Sequence, residues 1–181
     1  MKKLIYTLLS FVCTLSLASC GDDAWGNDNE EMAHVYYIGF EDWGTFKNDV
    51  KFDVAQGETV AIPMQFYCEF IRPYDVETYY YVAGNLMRGT DYEIVDTNGT
   101  VLQPNADGAF VLTWPKAKKG VQNVYVKALN GNTGSFNLQT FDPNSDVTLS
   151  NQDVASTIQH TESQYEVRVF TQNFKVTVNV K

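Results

Sequence analysis

Two histidines (His34, His160), three cysteines (Cys13, Cys20, Cys68) and 22 acidic residues are the groups in this chain that could make or break bonds. A nucleophilic cysteine needs a base beside it, and a hydrolytic serine needs a histidine and a strained turn. The chain contains no G-x-S-x-G, no H-E-x-x-H and no C-x-x-C. Cys68 shares one parity with Val60, Ile62, Met64, Phe66 and Phe70, which marks it as a small core residue rather than an activated thiol. His34 precedes the first apolar segment, and His160 stands beside Thr161 and Glu162 in a segment expected to be a short helix or loop, Asn151 to His160. Carboxylate pairs for glycoside hydrolysis are set by the fold, and no spacing marks one here. The expectation is a protein that binds and is not an enzyme.

Aromatic residues carry the positive signal. They make up 14% of the chain, with 11 Tyr, 11 Phe and 3 Trp. Trp43 lies in Glu-Asp-Trp-Gly and Tyr74 follows Arg72-Pro73. If Tyr79-Tyr80-Tyr81 is a strand, at least one of its rings must point outward. Exposed rings beside acids and amides suit stacking on sugar faces or anchoring a protein contact. Trp43, Tyr74, Tyr79, Tyr80 and Tyr81 are therefore the candidate ligand-binding residues. The competing use of an outward tyrosine is to cover a sheet face.

The start of the chain has a different character. Met1-Lys2-Lys3 is followed by the apolar run Leu4 to Leu17 and then Ala18-Ser19-Cys20. Such a segment, roughly 14 residues long, is a secretory signal and is short for a membrane span. The ending Leu-Ala-Ser-Cys resembles the lipobox of bacterial lipoproteins, whose cysteine is acylated before the signal is removed. That resemblance implies a signal peptide over 1–19, a palmitate-type acyl anchor on Cys20 and a membrane partner. One acyl chain anchors marginally, whereas two or more hold firmly. The stretch Gly21-Asp-Asp-Ala-Trp-Gly-Asn-Asp-Asn-Glu-Glu31 is too polar to bury a core and reads as a tether over 20–33. It also resembles the acidic stretch after the lipid cysteine in surface-exposed lipoproteins of the Bacteroidota. The implied address is the outer membrane, lipid-anchored and facing the cell surface; a periplasm-facing tether is the alternative.

Without residues 1–19 the Lys+Arg count falls from 13 to 11 against 22 Asp+Glu, a net charge of −11. Nucleic acid is excluded as a partner, because its binding needs a positive footprint. With Cys13 removed and Cys20 acylated, Cys68 has no disulfide partner. Stability must come from a packed core, and residues 34–181 suffice for one domain.

The elements that must position these residues are strands. Val60, Ile62, Met64, Phe66, Cys68 and Phe70 alternate with Ala61, Gln65, Tyr67 and Glu69, and Phe174, Val176, Val178 and Val180 alternate with Lys175, Thr177 and Asn179. Pro63 cannot donate to a ladder, so an edge or a bulge is expected there. Further strands are expected at 35–40, 50–54, 76–83, 92–96, 110–114, 121–129, 136–141 and 165–170. Turns fall at Asp96 to Gly99, Asn105 to Gly108, Lys118 to Gly120 and Asn130 to Gly134. Short strands separated by polar turns describe an all-β protein, an antiparallel β-sandwich, with a closed β-barrel as the alternative.

The segment from Arg88 to Leu129 resembles a Calx-beta module, an Ig-like sandwich, through Gly89, Asp91 and Tyr92 followed by Gly120, Val124 and Val126. In that family Gly-x-Asp-Tyr is mainly architectural: a turn glycine, a capping aspartate and a tyrosine plug between sheets. The resemblance also implies calcium held by loop acids after the Val-alternating strand. Here that place reads Ala128-Leu-Asn-Gly-Asn132, without carboxylates, whereas calcium needs about six to eight oxygens. No cofactor is expected, and calcium is the minor alternative. The functional expectation is a non-catalytic cell-surface lipoprotein, a binding module for glycan or an accessory to nutrient capture. Its rivals are a structural or adhesion protein docking onto an outer-membrane partner, and a calcium-dependent module.

Overall fold

Period-two patterning becomes eleven strands in a computed structural model that describes residues 33–40, 47–145 and 156–181. They are β1 (Val35–Phe40), β2 (Lys51–Val54), β3 (Thr59–Tyr67), β4 (Val76–Gly84), β5 (Tyr92–Val95) and β6 (Phe110–Trp114), then β7 (Gly120–Ala128), β8 (Gly134–Gln139), β9 (Ser156–Thr161), β10 (Glu166–Phe170) and β11 (Lys175–Val180). The first sheet has the order β5-β7-β3-β1-β10-β9 and the second β2-β11-β8-β4-β6. The protein is thus an all-β sandwich. Pairing is antiparallel except for β1 with β10 and β2 with β11, which run parallel, so both sheets are mixed.

The core lies between the inward parities of the two sheets. Ile38, Ile62, Met64, Phe66, Ile94 and Val126 of the first face Val76, Tyr80, Phe136, Leu138 and Val178 of the second. All core residues, from Tyr36 to Val180, belong to the compact unit His34–Lys181. Burying one large aliphatic or aromatic side chain stabilises by about 1.5–3 kcal/mol, which makes a separate disulfide unnecessary. Cys68 is a buried free thiol.

Four local expectations are corrected. Pro63 sits neither at an edge nor at a bulge: it pairs in register with Asn123 inside central β3. The Ala128 N–H→Glu58 O bond sets the strand parity and turns the Pro63 nitrogen away from β7. It faces the β1 side, one residue beyond the last described pair, Phe40↔Met64. Of the segment expected as short helix or loop, 151–155 lie outside the described residues and 156–160 belong to β9, built on β10 through tertiary pairing despite its polar sequence. Phe70 leaves the strand parity altogether, because β3 ends at Tyr67. The turn at Asp96 to Gly99 behaves as expected: Asp96 Oδ1 accepts from the N–H groups of Asn98 and Thr100 at 2.8 Å each, and Gly99 takes φ 82°. The turn expected at Lys118 to Gly120 falls instead at Pro115–Ala117, where Lys116 and Ala117 take the positive φ, and Gly120 begins β7.

Candidate functional site

Alternation along β4 separates the three consecutive tyrosines. Thr78 and Tyr80 point inward, while Tyr79 and Tyr81 lie half-buried on the outer parity. Tyr80 is 1% exposed and stacks on Phe110 at 5.2 Å, so its ring belongs to the core and is closed to a ligand. Tyr79 stacks on His160 of β9 at 4.4 Å. Tyr74, in the β3–β4 loop, is half-buried and stacks on Tyr165 at 5.9 Å. Trp43 lies outside the described residues, as does Cys20.

Tyr74 and Tyr79 are brought into one aromatic chain at the end of the sandwich where the domain begins. From the core outward, Trp114 stacks on Phe66 and Phe66 on Tyr36. Tyr36 meets both Tyr74 and Tyr165 edge-on. Tyr165 meets His160 edge-on, and His160 lies on Tyr79. Along the outer rim the hydroxyls of Tyr36 and Tyr74 share a hydrogen bond of 2.8 Å, and Tyr74 Oη shares one of 2.6 Å with His34 Nδ1. Burial, then the bond to Tyr74, raises the Tyr36 pKa. Burial raises Tyr165, and lowers His160 against a weaker opposing effect of Glu162. Offset and edge-on ring pairs each contribute about 0.5–1.5 kcal/mol beyond burial. These rings bind one another.

Sequence reasoning missed Gln159. In the β9–β10 ladder Val167 faces His160 and Arg168 faces Ile158, which leaves Gln159 as the extra residue of a bulge. The bulge aims its side chain across to the second sheet. Gln159 Nε2 donates to Tyr79 O at 2.9 Å and Thr140 O at 2.6 Å, and its Oε1 accepts from Tyr79 N–H at 2.9 Å. Pairing of β4 with β8 stops at Tyr81↔Gln139, so one amide side chain replaces the missing strand. No one-dimensional signal marks a glutamine for that task.

Asp91 has the architectural role implied by the Gly-x-Asp-Tyr resemblance. It is 1% exposed; Oδ2 accepts from Met87 N–H at 2.7 Å, and Oδ1 from Asn132 N–H at 2.7 Å and Asn132 Nδ2 at 3.0 Å. Those bonds, first from the Met87 and Asn132 backbone, lower its pKa. Its partner Tyr92 stacks on Phe136 of the opposite sheet at 4.2 Å, a plug between the layers. Asp91 thus spends its carboxylate on the Ala128–Asn132 turn. Among the described residues no group of three or more His, Cys, Asp or Glu could hold a metal ion.

The same end of the sandwich carries a second arrangement. Cys68 Sγ donates to Ala117 O at 2.6 Å, Arg72 N–H to Lys116 O at 2.8 Å, and Lys116 N–H to Asp75 Oδ1 at 2.9 Å. These bonds fuse the β3–β4 loop to the 3-10 turn Pro115–Ala117. Burial raises the Cys68 pKa, with the backbone and charge of Lys119 opposing. Lys116 and Ala117 hold φ of 57° and 49°, left-handed values that non-glycine residues adopt at a cost.

No known family matches the chain, and no curated protein matches its sequence. Among solved structures the chain is similar to the N-terminal domain of PorA, with 12% identity, 81% of this chain and 96% of that one covered, and a TM-score of 0.36. It is also similar to the CARDB domain of the PF1109 protein from Pyrococcus furiosus, solved with di-metal ions, with 11% identity, 81% and 91% coverage and a TM-score of 0.27. Neither likeness bears on ligand or activity.

Proposed function

We propose that the protein is a non-catalytic, lipid-anchored binding module of the outer membrane, displayed at the cell surface. The observation that carries the non-catalytic part is where the reactive side chains go. Cys68 serves a loop contact, Asp91 joins two turns, His34 bonds a tyrosine and His160 stacks on another. The anchor rests on Leu17-Ala-Ser-Cys20 and the polar stretch after it. Radiolabelled palmitate fed to expressing cells is expected in the parent protein and absent from Cys20→Ser. Equal labelling of both removes the anchor.

A docking role onto a membrane partner gains ground over glycan capture, because Tyr74 and Tyr79 already have ring neighbours and Tyr80 is core. Glycan capture then falls to Trp43 and Tyr81. A glycan array with parent and Trp43→Ala discriminates: sugar binding lost in the variant supports capture, and a membrane protein co-purified from cross-linked cells supports docking. Calcium dependence is tested by calorimetry; no heat and no change in melting temperature would remove it.

A further inference from the structure

The fused tip made by the β3–β4 loop and the turn after β6 combines two features found on membrane-contacting surfaces. Ile71 is 65% exposed and Phe70 36% exposed, two adjacent apolar residues in the β3–β4 loop. Around them stand Lys116, Lys118 and Lys119, all exposed, and Arg72, whose guanidinium lies over the Phe70 ring at 5.0 Å. Glu69 and Asp75 are the acids of these two loops, and Asp75 is engaged by the Lys116 N–H. These two loops thus carry Arg72, Lys116, Lys118 and Lys119 against Glu69 and Asp75, in a chain of net charge −9. At physiological salt the Debye length is about 8 Å, so the charges nearest the tip weigh most in a contact made here.

Position supplies the second argument. Tyr37 pairs antiparallel with Tyr67, so β1 begins at the end of the sandwich where β3 finishes. The His34–Tyr74 hydrogen bond places the first residues of the domain beside this loop. The tip and the first described residues of the domain therefore share one end of the sandwich.

We infer that the Phe70-Ile71 tip is an interfacial contact for an anionic lipid surface. The two apolar side chains enter the boundary between headgroups and acyl chains, and the lysines lie over their stems to reach phosphate. The bonds among Cys68, Arg72, Asp75, Lys116 and Ala117 hold the loop in advance, which lowers the ordering cost of binding. The contact rests on the anchored reading for its setting, since the tether would raise the local concentration of lipid.

The test separates the two ideas. Residues 20–181 carrying Cys20→Ser contain the whole core and cannot be acylated. They are sedimented with vesicles of equal parts phosphatidylglycerol and phosphatidylcholine, and with pure phosphatidylcholine. Partitioning about tenfold or more stronger to the anionic vesicles is expected, falling as salt rises. Phe70→Ser/Ile71→Ser and Lys118→Gln/Lys119→Gln, checked for an unchanged melting temperature, should each lose most of it. Equal partitioning to both vesicles, or variants that bind like the parent, would overturn the tip contact, including in favour of an acidic protein partner. Palmitate labelling of Cys20 reports on the anchor alone, so either idea can fail while the other stands.

Discussion

The His160 ring lies flat on Tyr79, and neither of its nitrogens has a hydrogen-bond partner. Tyr79 and Tyr165 pack against it, and Glu162 is the charge that acts on it. Burial lowers its pKa from the ordinary 6.5, so the fold prefers the neutral ring. The unfolded chain then binds more protons below about pH 6.5, and stability is whole above that value and declines as pH falls through it. Denaturant melts of the parent at pH 7.5 and 5.5 should differ more than those of His160→Phe; identical pH dependence would show that the ring contributes nothing. Asp91 and Asp96, lowered by backbone bonds, add a loss of the same sign in the more acidic carboxylate range. Tyr80 carries a simpler prediction. Truncation to alanine removes a ring stacked on Phe110 and should cost about 3–5 kcal/mol in urea unfolding, as for other large core aromatics. A cost under about 1 kcal/mol would place the ring outside the core.

At the scale of elements, two devices hold neighbouring segments where strand pairing runs out. Gln159 satisfies both polar groups of Tyr79 and the carbonyl of Thr140. Gln159→Leu strands those three groups, and each stranded buried group costs about 1–3 kcal/mol. Hydrogen exchange at the Tyr79 amide should accelerate well before global unfolding; protection equal to the parent would mean that another group covers the edge. The second device is the contact of the Asp91 loop with Gly131, where an added Cβ would run into Thr90 O and Asp91 Oδ1. Backbone cannot yield as a long side chain can, so Gly131→Ala should lower the melting temperature, while Gly99→Ala, with open space around it, meets only its φ of 82°. One device lies in a strand bulge and the other in a turn, yet the partners of both are distant in sequence.

For the molecule as a whole, display at the cell surface predicts that protease added to intact cells removes the protein; full protection would indicate the periplasmic face. Much of the body was legible in one dimension. Ten of the eleven strands fall on segments expected from the sequence, most clearly β3 and β11, whose residues alternate because side chains on a pleated strand alternate by covalent geometry alone. Asp96 to Gly99 and Asn105 to Gly108 were legible for the same local reason: short side chains bond their own backbone. The site was less so. Tyr79, Tyr80 and Tyr81 are chemically identical, and the opposing sheet decided which ring is core and which lies against a histidine. Strand β9 was hidden because its ladder comes from β10. Pro63 was misplaced because its nitrogen's direction depends on which neighbour occupies which side. The sequence by itself therefore determined an all-β body with its turns, through interactions spanning a few residues. Only the tertiary structure decided which aromatics are free for a partner and which loops share an end, because burial depends on atoms brought from far along the chain.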